Sequence, residues 1–267
     1  MSMSRRVEAM NGKRAGRESA GHPRRAALLL AVLSAGSVLV AGAPNAASQE
    51  TGPRGAAGGP TTAEILEKFD RAQRETSTLV AGFTEEKNLR LLARSRVSRG
   101  RFYYNRPNQV RWEYDDPERK VYIITEDHYI AYFPAEKRAE NVDLAKFVGK
   151  RVFRLLAVGQ SSRDLAHSYD IARVVDGSLA DAYLLVLTPR RERVRERLAM
   201  LRVWIDAGTF LPRRVAYDEP DGDSTVLTFH DPRPNIGLEE RQFTIDLPKD
   251  VLVSSTYNGL SLGQGAF

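Results

Sequence analysis

The chain of 267 residues contains no cysteine. A disulfide framework, a thiolate metal site and a thiol for lipid attachment are therefore all excluded. Histidine is also scarce, and His128, His167 and His230 lie far apart without the spacing of metal ligands. We expect no metal site and no cofactor.

Catalytic motifs are missing as well. The segment nearest to a nucleophile elbow, residues 159–163, lacks the second glycine, and no glycine-rich phosphate loop occurs. The acidic pairs Asp115-Asp116 and Glu85-Glu86 are better explained as turn and solvent-facing residues than as catalytic carboxylates. The sequence therefore predicts no catalytic residues and a protein that is not an enzyme.

The N-terminal region has the layout of an export signal. Arg24 and Arg25 precede an apolar run, residues 26–43, and small residues follow at 46–48. This order of basic, apolar and small residues is typical of a signal peptide. We predict cleavage near Ser48, so that residues 1–48 form the signal.

A permanent membrane anchor is the alternative for this apolar run. Its glycine and serine content and the flexible linker predicted for residues 49–60 favour cleavage. The predicted signal also carries seven basic and two acidic side chains, which leaves 33 basic and 32 acidic residues in the mature chain. A nearly neutral mature protein gives no sign of nucleic-acid binding.

Residues 61–255 have the length and pattern of one β-rich domain, followed by a tail, residues 256–267, that we expect to be mobile. The segment Thr61–Glu64 is typical of a capping box that begins a helix. The apolar positions of that helix are Ile65, Leu66, Phe69 and Ala72.

Eleven strands are predicted from short runs bounded by turn residues. They are residues 79–87, 95–104, 109–115, 120–125, 128–134, 167–175, 182–188, 199–206, 212–218, 224–230 and 241–246. Residues 142–158 fit an apolar helix better than a strand, and residues 161–165 a short helical turn. An antiparallel sheet of this size usually curls on itself, and helices can close its mouth.

The segment from Gly100 to Tyr114 contains two alternating runs around the turn Arg106-Pro107-Asn108. Side chains of one parity on each run point to a single face of the sheet. These side chains are Phe102, Tyr104 and Arg106 on the first run and Val110, Trp112 and Tyr114 on the second. A face of large rings with one cation fits a lipid-binding cavity, and an ordinary hairpin covering a core is the alternative.

This motif, with the turn Asp115-Asp116-Pro117 after it, resembles the periplasmic outer-membrane lipoprotein carrier family, LolA. The resemblance covers roughly residues 63–253. It implies a mainly β fold with helices (α+β), an incomplete antiparallel β-barrel of about eleven strands with a helical lid over a hydrophobic cavity. It also implies a location in the periplasm of a Gram-negative bacterium.

The resemblance implies roles for individual residues. Arg106 matches an arginine that in the family bonds to lid carbonyls and holds the lid shut, and an arginine that merely ends a strand in water is the alternative. The predicted acyl-chain cavity is lined by Phe83, Phe102, Tyr104, Val110, Trp112 and Tyr114 and by the lid residues Phe147, Val148, Phe153, Leu155 and Leu156. The alternative for the lid residues is an ordinary core helix.

The function implied is that of a carrier for lipoproteins. Each buried methylene is worth ~0.8 kcal/mol, so an acyl chain of about 16 carbons resists exposure to water by roughly 12 kcal/mol. The partners would be the lipoprotein cargo, an inner-membrane ABC-type lipoprotein-releasing complex and an outer-membrane acceptor lipoprotein. The carrier is expected to be a monomer, and without cysteine it cannot be the acceptor itself.

Two other functions remain open at this point. The first is a periplasmic carrier of another lipid, such as a glycolipid or a polyprenoid. The second is a lipoprotein-sensing regulatory module of the same fold, although such sensors carry an additional C-terminal domain for which little sequence follows Val253. A basic hairpin loop, residues 190–197, is interpreted as solvated, with attraction to an acidic partner or anionic headgroups as the alternative.

Overall fold

The computed structural model describes residues 59–91, 95–144 and 161–255, which form one large open sheet with three α-helices. The helices are α1 Thr62–Glu75, α2 Ser162–Ser168 and α3 Glu192–Arg195. The strands are β1 Thr78–Asn88, β2 Arg96–Asn105, β3 Gln109–Asp116, β4 Lys120–Ile124, β5 His128–Phe133, β6 Arg138–Asp143, β7 Tyr169–Val174, β8 Ala182–Pro189, β9 Met200–Asp206, β10 Pro212–Asp218, β11 Ser224–Pro234 and β12 Leu252–Ser254.

The sheet consists of two meanders joined through their first and last strands. Its order is β12-β6-β5-β4-β3-β2-β1-β11-β10-β9-β8-β7. Every neighbouring pair is antiparallel except β12 and β6, which run parallel at one edge. The predicted fold class is therefore confirmed, with twelve strands among the described residues where about eleven were expected.

Helix α1 begins as the sequence predicts. The side chain of Thr61 accepts a hydrogen bond from the Glu64 backbone N–H at 3.2 Å, and Glu64 Oε2 accepts one from the Thr61 backbone N–H at 2.6 Å. This reciprocal capping box satisfies donors that the first helical turn leaves free. The apolar stripe of α1 then packs on one face of the sheet, which we call the inner face.

Two apolar clusters cover the inner face. The helix-covered cluster lies under α1 and consists of Ile65, Phe69, Tyr169, Leu185, Leu187, Val194, Leu198 and Ile205. The aromatic cluster lies on β1 to β6 and consists of Leu79, Phe83, Phe102, Tyr104, Val110, Trp112, Tyr114, Tyr122, Ile124, Tyr129, Ala131, Val142 and Leu144, together with Leu211 from the start of the β10 region.

Part of the outer face of the sheet is covered by the chain that follows β11. Ile236, Leu238, Phe243 and Ile245 pack on Tyr103, Val121 and Ile123. The strand predicted at residues 241–246 is wrong, because a 3-10 turn, Glu240–Phe243, and an irregular stretch occur there. Alternating apolar residues indicate only which side chains face the sheet. Here the segment lies on the surface of the sheet, and its backbone does not pair with a strand.

Three further elements differ from the sequence predictions. Val142 lies within strand β6, which ends at Asp143, and does not begin a helix, while residues 145–158 of the predicted helix lie outside the described residues. Strands β6 and β12 themselves were not predicted. The loop at residues 190–197 contains the short helix α3. The helical turn predicted at residues 161–165 is confirmed as α2. Within the described ranges, no helix is long and apolar enough to cross a membrane.

Candidate functional site

The six cavity residues predicted on strands lie together in the aromatic cluster. Phe102 faces Trp112 across the β2–β3 pair, and Tyr104 faces Val110. All six side chains are buried, with at most 8% of any of them exposed. The hairpin motif therefore forms the centre of the larger aromatic cluster.

The rings of the cluster meet edge to face or tilted. The centroid of Phe83 lies 4.9 Å from that of Trp112 and 4.9 Å from that of Tyr114, at interplanar angles of 77° and 78°. The Phe102 and Trp112 centroids are 4.5 Å apart. These distances are those at which aromatic pairs attract one another beyond the effect of area burial.

Gly100 makes this ring packing possible. A Cβ atom at this position would lie 2.0 Å from the carbonyl oxygen of Glu113 and 2.9 Å from the ring of Phe83. No side chain fits into that space, so the glycine that starts the motif lets β2 and β3 pair closely under the Phe83 ring.

One polar atom inside the cluster lacks a partner. The indole Nε1–H of Trp112 is buried and donates no hydrogen bond to any part of the chain that the structure describes. A buried donor without an acceptor costs about 1–3 kcal/mol. Among the described residues, the Trp112 indole is thus a donor that an incoming acceptor, such as an acyl carbonyl, would satisfy.

Arg106 lies at the end of β2 and binds the C-terminal end of α1. Its Nη2 donates to the carbonyl oxygens of Gln73 at 2.7 Å and Thr76 at 3.1 Å, and also to that of Arg74. These carbonyls form the negative end of the helix dipole, where a guanidinium is favourable. Arg106 therefore joins the β2–β3 turn to α1.

The five lid residues predicted on the later apolar segment, Phe147, Val148, Phe153, Leu155 and Leu156, lie outside the described residues. The helix end that Arg106 binds belongs to α1, whereas the sequence prediction placed the acceptors on that later segment. The expectation of a guanidinium bonded to helix-end carbonyls thus has a geometric counterpart, and the latch function itself stays a prediction.

Sequence reasoning missed part of the cluster. Tyr122, Ile124, Tyr129, Ala131, Val142 and Leu144 were not assigned to the site, although they complete the floor of the interior. The same alternation that identified Trp112 runs through β4, because Tyr122 is paired with Trp112 and Ile124 with Val110. Applying strand parity across the predicted meander would have found β4, whereas β6 was hidden by the helix prediction.

The inner face becomes polar toward the other end of β1. Glu85, predicted to face solvent, is buried because it shares the parity of Phe83, and its carboxylate accepts a hydrogen bond from the Tyr114 hydroxyl at 2.8 Å. Burial and the nearby Glu85 charge raise the pKa of Tyr114 well above its usual value. Lys120 Nζ lies 4.3 Å from the centroid of the Tyr114 ring.

The described residues contain no group of three or more histidine, aspartate or glutamate side chains that could hold a metal ion. His230 Nε2 lies 2.9 Å from the Thr84 hydroxyl on the outer side of β1. The arrangement that the inner face offers is therefore an apolar, ring-lined interior with a helix fastened across one end.

One protein family has a sequence model that matches this chain. The model of the family described as outer membrane lipoprotein carrier protein LolA matches residues 74–246, which is more than half of the chain. The match begins near the end of α1 and includes every described residue of the aromatic cluster. No curated protein sequence matches the chain.

Solved structures give weaker likenesses. A conserved protein of Thermus thermophilus is 16% identical with a TM-score of 0.48, and the alignment covers 72% of this chain and 97% of the Thermus chain. MucB in the MucA/MucB complex of Pseudomonas aeruginosa is 17% identical with a TM-score of 0.43, covering 68% and 60%. A LolA superfamily protein of Nitrosomonas europaea is 12% identical with a TM-score of 0.36, covering 70% and 99%. These scores are too low to support an argument about function.

Proposed function

Because the chain belongs to the LolA family of outer membrane lipoprotein carrier proteins, we propose that it is a periplasmic carrier of lipoproteins. It would bind the acyl chains of lipoproteins released by an inner-membrane ABC-type complex and deliver them to an outer-membrane acceptor lipoprotein. The export signal expected at residues 1–48 agrees with this location.

The observation that carries the proposal is the aromatic cluster on the inner face. Its rings and aliphatic side chains form one continuous apolar set on six neighbouring strands. Covering an acyl chain of about 16 carbons requires such a surface, since roughly 12 kcal/mol opposes exposing that chain to water.

Trp112 adds a polar feature to this interior. An acyl chain of a lipoprotein is attached through an ester or amide, and its carbonyl oxygen is a hydrogen-bond acceptor. The unpartnered Nε1–H of Trp112 is a donor at the centre of the cluster. Pairing these two groups removes the cost of the free donor and orients the chain.

Arg106 supplies a way to control access. Its bonds to the α1 carbonyls fasten α1 to the β2–β3 turn, while Ala72 of α1 packs on the aromatic cluster. A carrier must bind and release, so the closed and the loaded states must lie close in free energy. In this proposal the Arg106 bonds favour the closed, empty state and so help to expel cargo at the acceptor.

The deciding experiment identifies what the protein carries. The protein is purified from its native periplasm without detergent, and the bound material is extracted and analysed by mass spectrometry. We expect lipoproteins with their acyl chains. Glycolipid or polyprenoid alone would show a carrier of another lipid, and copurification of a membrane-bound regulator without lipid would favour the sensor function.

A transfer assay tests the carrier function directly. The protein is loaded with a tripalmitoylated lipopeptide and mixed with liposomes that carry the acceptor lipoprotein. We expect the lipopeptide to move to these liposomes and to stay on the carrier when the liposomes lack the acceptor. Equal transfer to both kinds of liposome would mean that the protein only releases lipid nonspecifically.

A further inference from the structure

A charged cavity of about 180 Å³ lies at the end of the inner face opposite Arg106. Three cationic side chains line it, Lys87, Arg96 and Lys120, together with the carboxylates of Glu85 and Glu118. Its volume is several times the ≈ 30 Å³ that one water molecule occupies in the liquid. The cavity is therefore large enough for a small polar group.

The cavity continues the aromatic cluster along the same face. On β1, Glu85 and Lys87 follow Phe83 at intervals of two, so their side chains point to the face that carries the rings. Arg96 is paired with Lys87 on β2, and Lys120 is paired with Tyr114 on β4.

Tyr114 connects the two regions. Its ring packs against Phe83 inside the cluster, and its hydroxyl donates to Glu85 at the cavity. A molecule with a chain along the rings would therefore place its polar end beside Lys120 and Lys87.

The two carboxylates leave part of the cationic charge unpaired. Glu85 is already engaged by the Tyr114 hydroxyl and by Lys87 Nζ, which lies 3.6 Å from Glu85 Oε1. Within the described ranges, no carboxylate lies within ion-pair distance of Lys120 or Arg96. Since Lys120, Arg96 and Lys87 line one cavity with two carboxylates, those of Glu85 and Glu118, an anion there would meet more positive than negative side chains.

Lys120 is the cation whose protonation the cavity opposes by burial. Burial lowers its pKa, and the nearby charges of Lys87 and Arg96 lower it further, while those of Glu85 and Glu118 raise it. A desolvated ammonium gains more from a bound anion than one in water does.

We propose that this cavity binds the phosphate group of an amphiphile whose acyl chain lies in the aromatic cluster, with Lys120 and Arg96 as its ligands. This inference rests on the proposed function for its apolar interior and goes beyond it, because the acylated cysteine of a lipoprotein carries no phosphate. The cargo class would then include phosphate-bearing lipids, and the polar end of the cargo would be held at the end of the sheet remote from Arg106.

The test compares amphiphiles with one tail and different headgroups. Dodecyl phosphate and dodecyl maltoside are titrated into the full mature protein below their critical micelle concentrations, and inorganic phosphate is titrated alone. Wild-type protein should bind dodecyl phosphate about tenfold more tightly than dodecyl maltoside, which corresponds to ~1.4 kcal/mol. Inorganic phosphate should bind far more weakly than dodecyl phosphate.

Two substitutions then locate the preference. Lys120→Met and Arg96→Gln should each reduce the ratio of the two affinities toward one while leaving the affinity for dodecyl maltoside unchanged. Arg101→Gln is the matched control, because it removes the same charge from the same strand on the outer face, where Arg101 lies 3.8 Å from Glu113. The control should keep the wild-type ratio.

The outcomes separate this proposal from the carrier function. Equal affinity of wild-type protein for both amphiphiles, or an unchanged ratio in both variants, overturns the phosphate assignment and leaves the carrier function intact. If neither amphiphile binds to the wild-type protein, both the phosphate assignment and the acyl-chain interior on which the carrier function depends are overturned. If inorganic phosphate binds as tightly as dodecyl phosphate and loses that affinity in Lys120→Met, the cavity serves a free oxyanion and the lipid assignment is wrong.

Discussion

The two halves of the inner face are apolar for different reasons. In the helix-covered cluster, α1 supplies Ile65 and Phe69, which lie on mainly aliphatic side chains from β8 and β9. In the aromatic cluster, the sheet supplies nearly every ring, and Ala72 is the contribution of α1. One half is a core that packs on its own helix, whereas the other is a buried set of rings that the strands of the sheet themselves supply.

This difference bears on how a carrier can release its cargo without unfolding. A core of interlocking aliphatic side chains loses stability when any member leaves. In the aromatic cluster the rings contact one another on neighbouring strands, so these ring pairs do not depend on a helix packed above them. The helix-covered half would thus supply stability, and the aromatic half would supply the variable contact.

The largest expected effect concerns both halves together, at high pH. Burial raises the pKa values of Tyr114 and Tyr122 in the aromatic half and of Tyr169 and Tyr217 in the other half. Since these folded-state pKa values exceed the unfolded value near 10, their contribution is complete below pH 10 and is lost as the pH rises further. Four such phenols should together lower the free energy of unfolding by roughly 5 kcal/mol between pH 9 and pH 11, which urea unfolding at a series of pH values measures.

A single variant sharpens that result. The Tyr169 hydroxyl is buried without a hydrogen-bond partner among the described residues. Tyr169→Phe should therefore reduce the pH dependence by about a quarter while leaving the free energy of unfolding at pH 7 unchanged or higher. A lower stability of this variant at pH 7 would mean that the hydroxyl is satisfied after all.

The next effect distinguishes the two halves directly. Phe69 is 4% exposed in the helix-covered cluster, so Phe69→Ala should lower the free energy of unfolding by about 3–5 kcal/mol. Its folded form should still bind dodecyl maltoside like wild type. Leu91→Ala is the control, since Leu91 is 95% exposed and its truncation should change neither quantity. Loss of binding in Phe69→Ala would show that the two halves form one binding interior.

Arg106 joins the halves, and its replacement has an intermediate effect. Arg106→Leu removes the charge-assisted bonds to the α1 carbonyls, worth roughly 1.5–3 kcal/mol each before solvent exposure weakens them. The variant should load lipopeptide at least as tightly as wild type and transfer it poorly to acceptor liposomes, because closure no longer favours release. Arg101→Leu serves as the control. Normal transfer by Arg106→Leu, or a failure to load, would contradict the latch function.

The smallest expected effect tests the free donor in the aromatic half. Trp112→Phe keeps a ring in the cluster and removes the indole N–H, so the affinity for monolaurin, whose ester offers a carbonyl, should fall by about 0.5–1.5 kcal/mol. The affinity for dodecyl maltoside, which has no carbonyl, should stay the same. Parallel losses for both ligands would mean that Trp112 contributes by packing alone.

Much of the sheet could be predicted because its strands carry local signals. Ten of the predicted strands match observed strands, since alternation and turn residues such as Asp115-Asp116-Pro117 act over a few residues. Strand β6 was missed because Val142 and Leu144 were counted in a helical pattern that continues into residues 145–158. Residues 241–246 show the reverse error, since their side chains alternate in burial while their backbone pairs with no strand.

The candidate site divides in the same way. Parity within the hairpin placed Phe102, Trp112 and Val110 on one face, because that depends only on the pleat of two adjacent strands. Glu85 was predicted to face solvent because it stands beside a second acidic residue, Glu86. It lies two residues after Phe83 on β1, however, so its side chain points to the inner face. The charged cavity could not be predicted, because its cations Lys87, Arg96 and Lys120 lie on three different strands. Only the register of the strand pairing brings them together.

The sequence by itself determined the capping box of α1, the meander of short strands and the hairpin of rings that resembles the family's motif. These features follow from contacts between residues close in the chain, so each can be predicted from a short segment of sequence. Only the tertiary structure decided that Arg106 binds the end of α1, that β1 pairs with β11 to join the two meanders, and that the charged cavity continues the aromatic cluster. Each of these depends on groups far apart in sequence, which are brought together by backbone pairing and burial and carry no local signal.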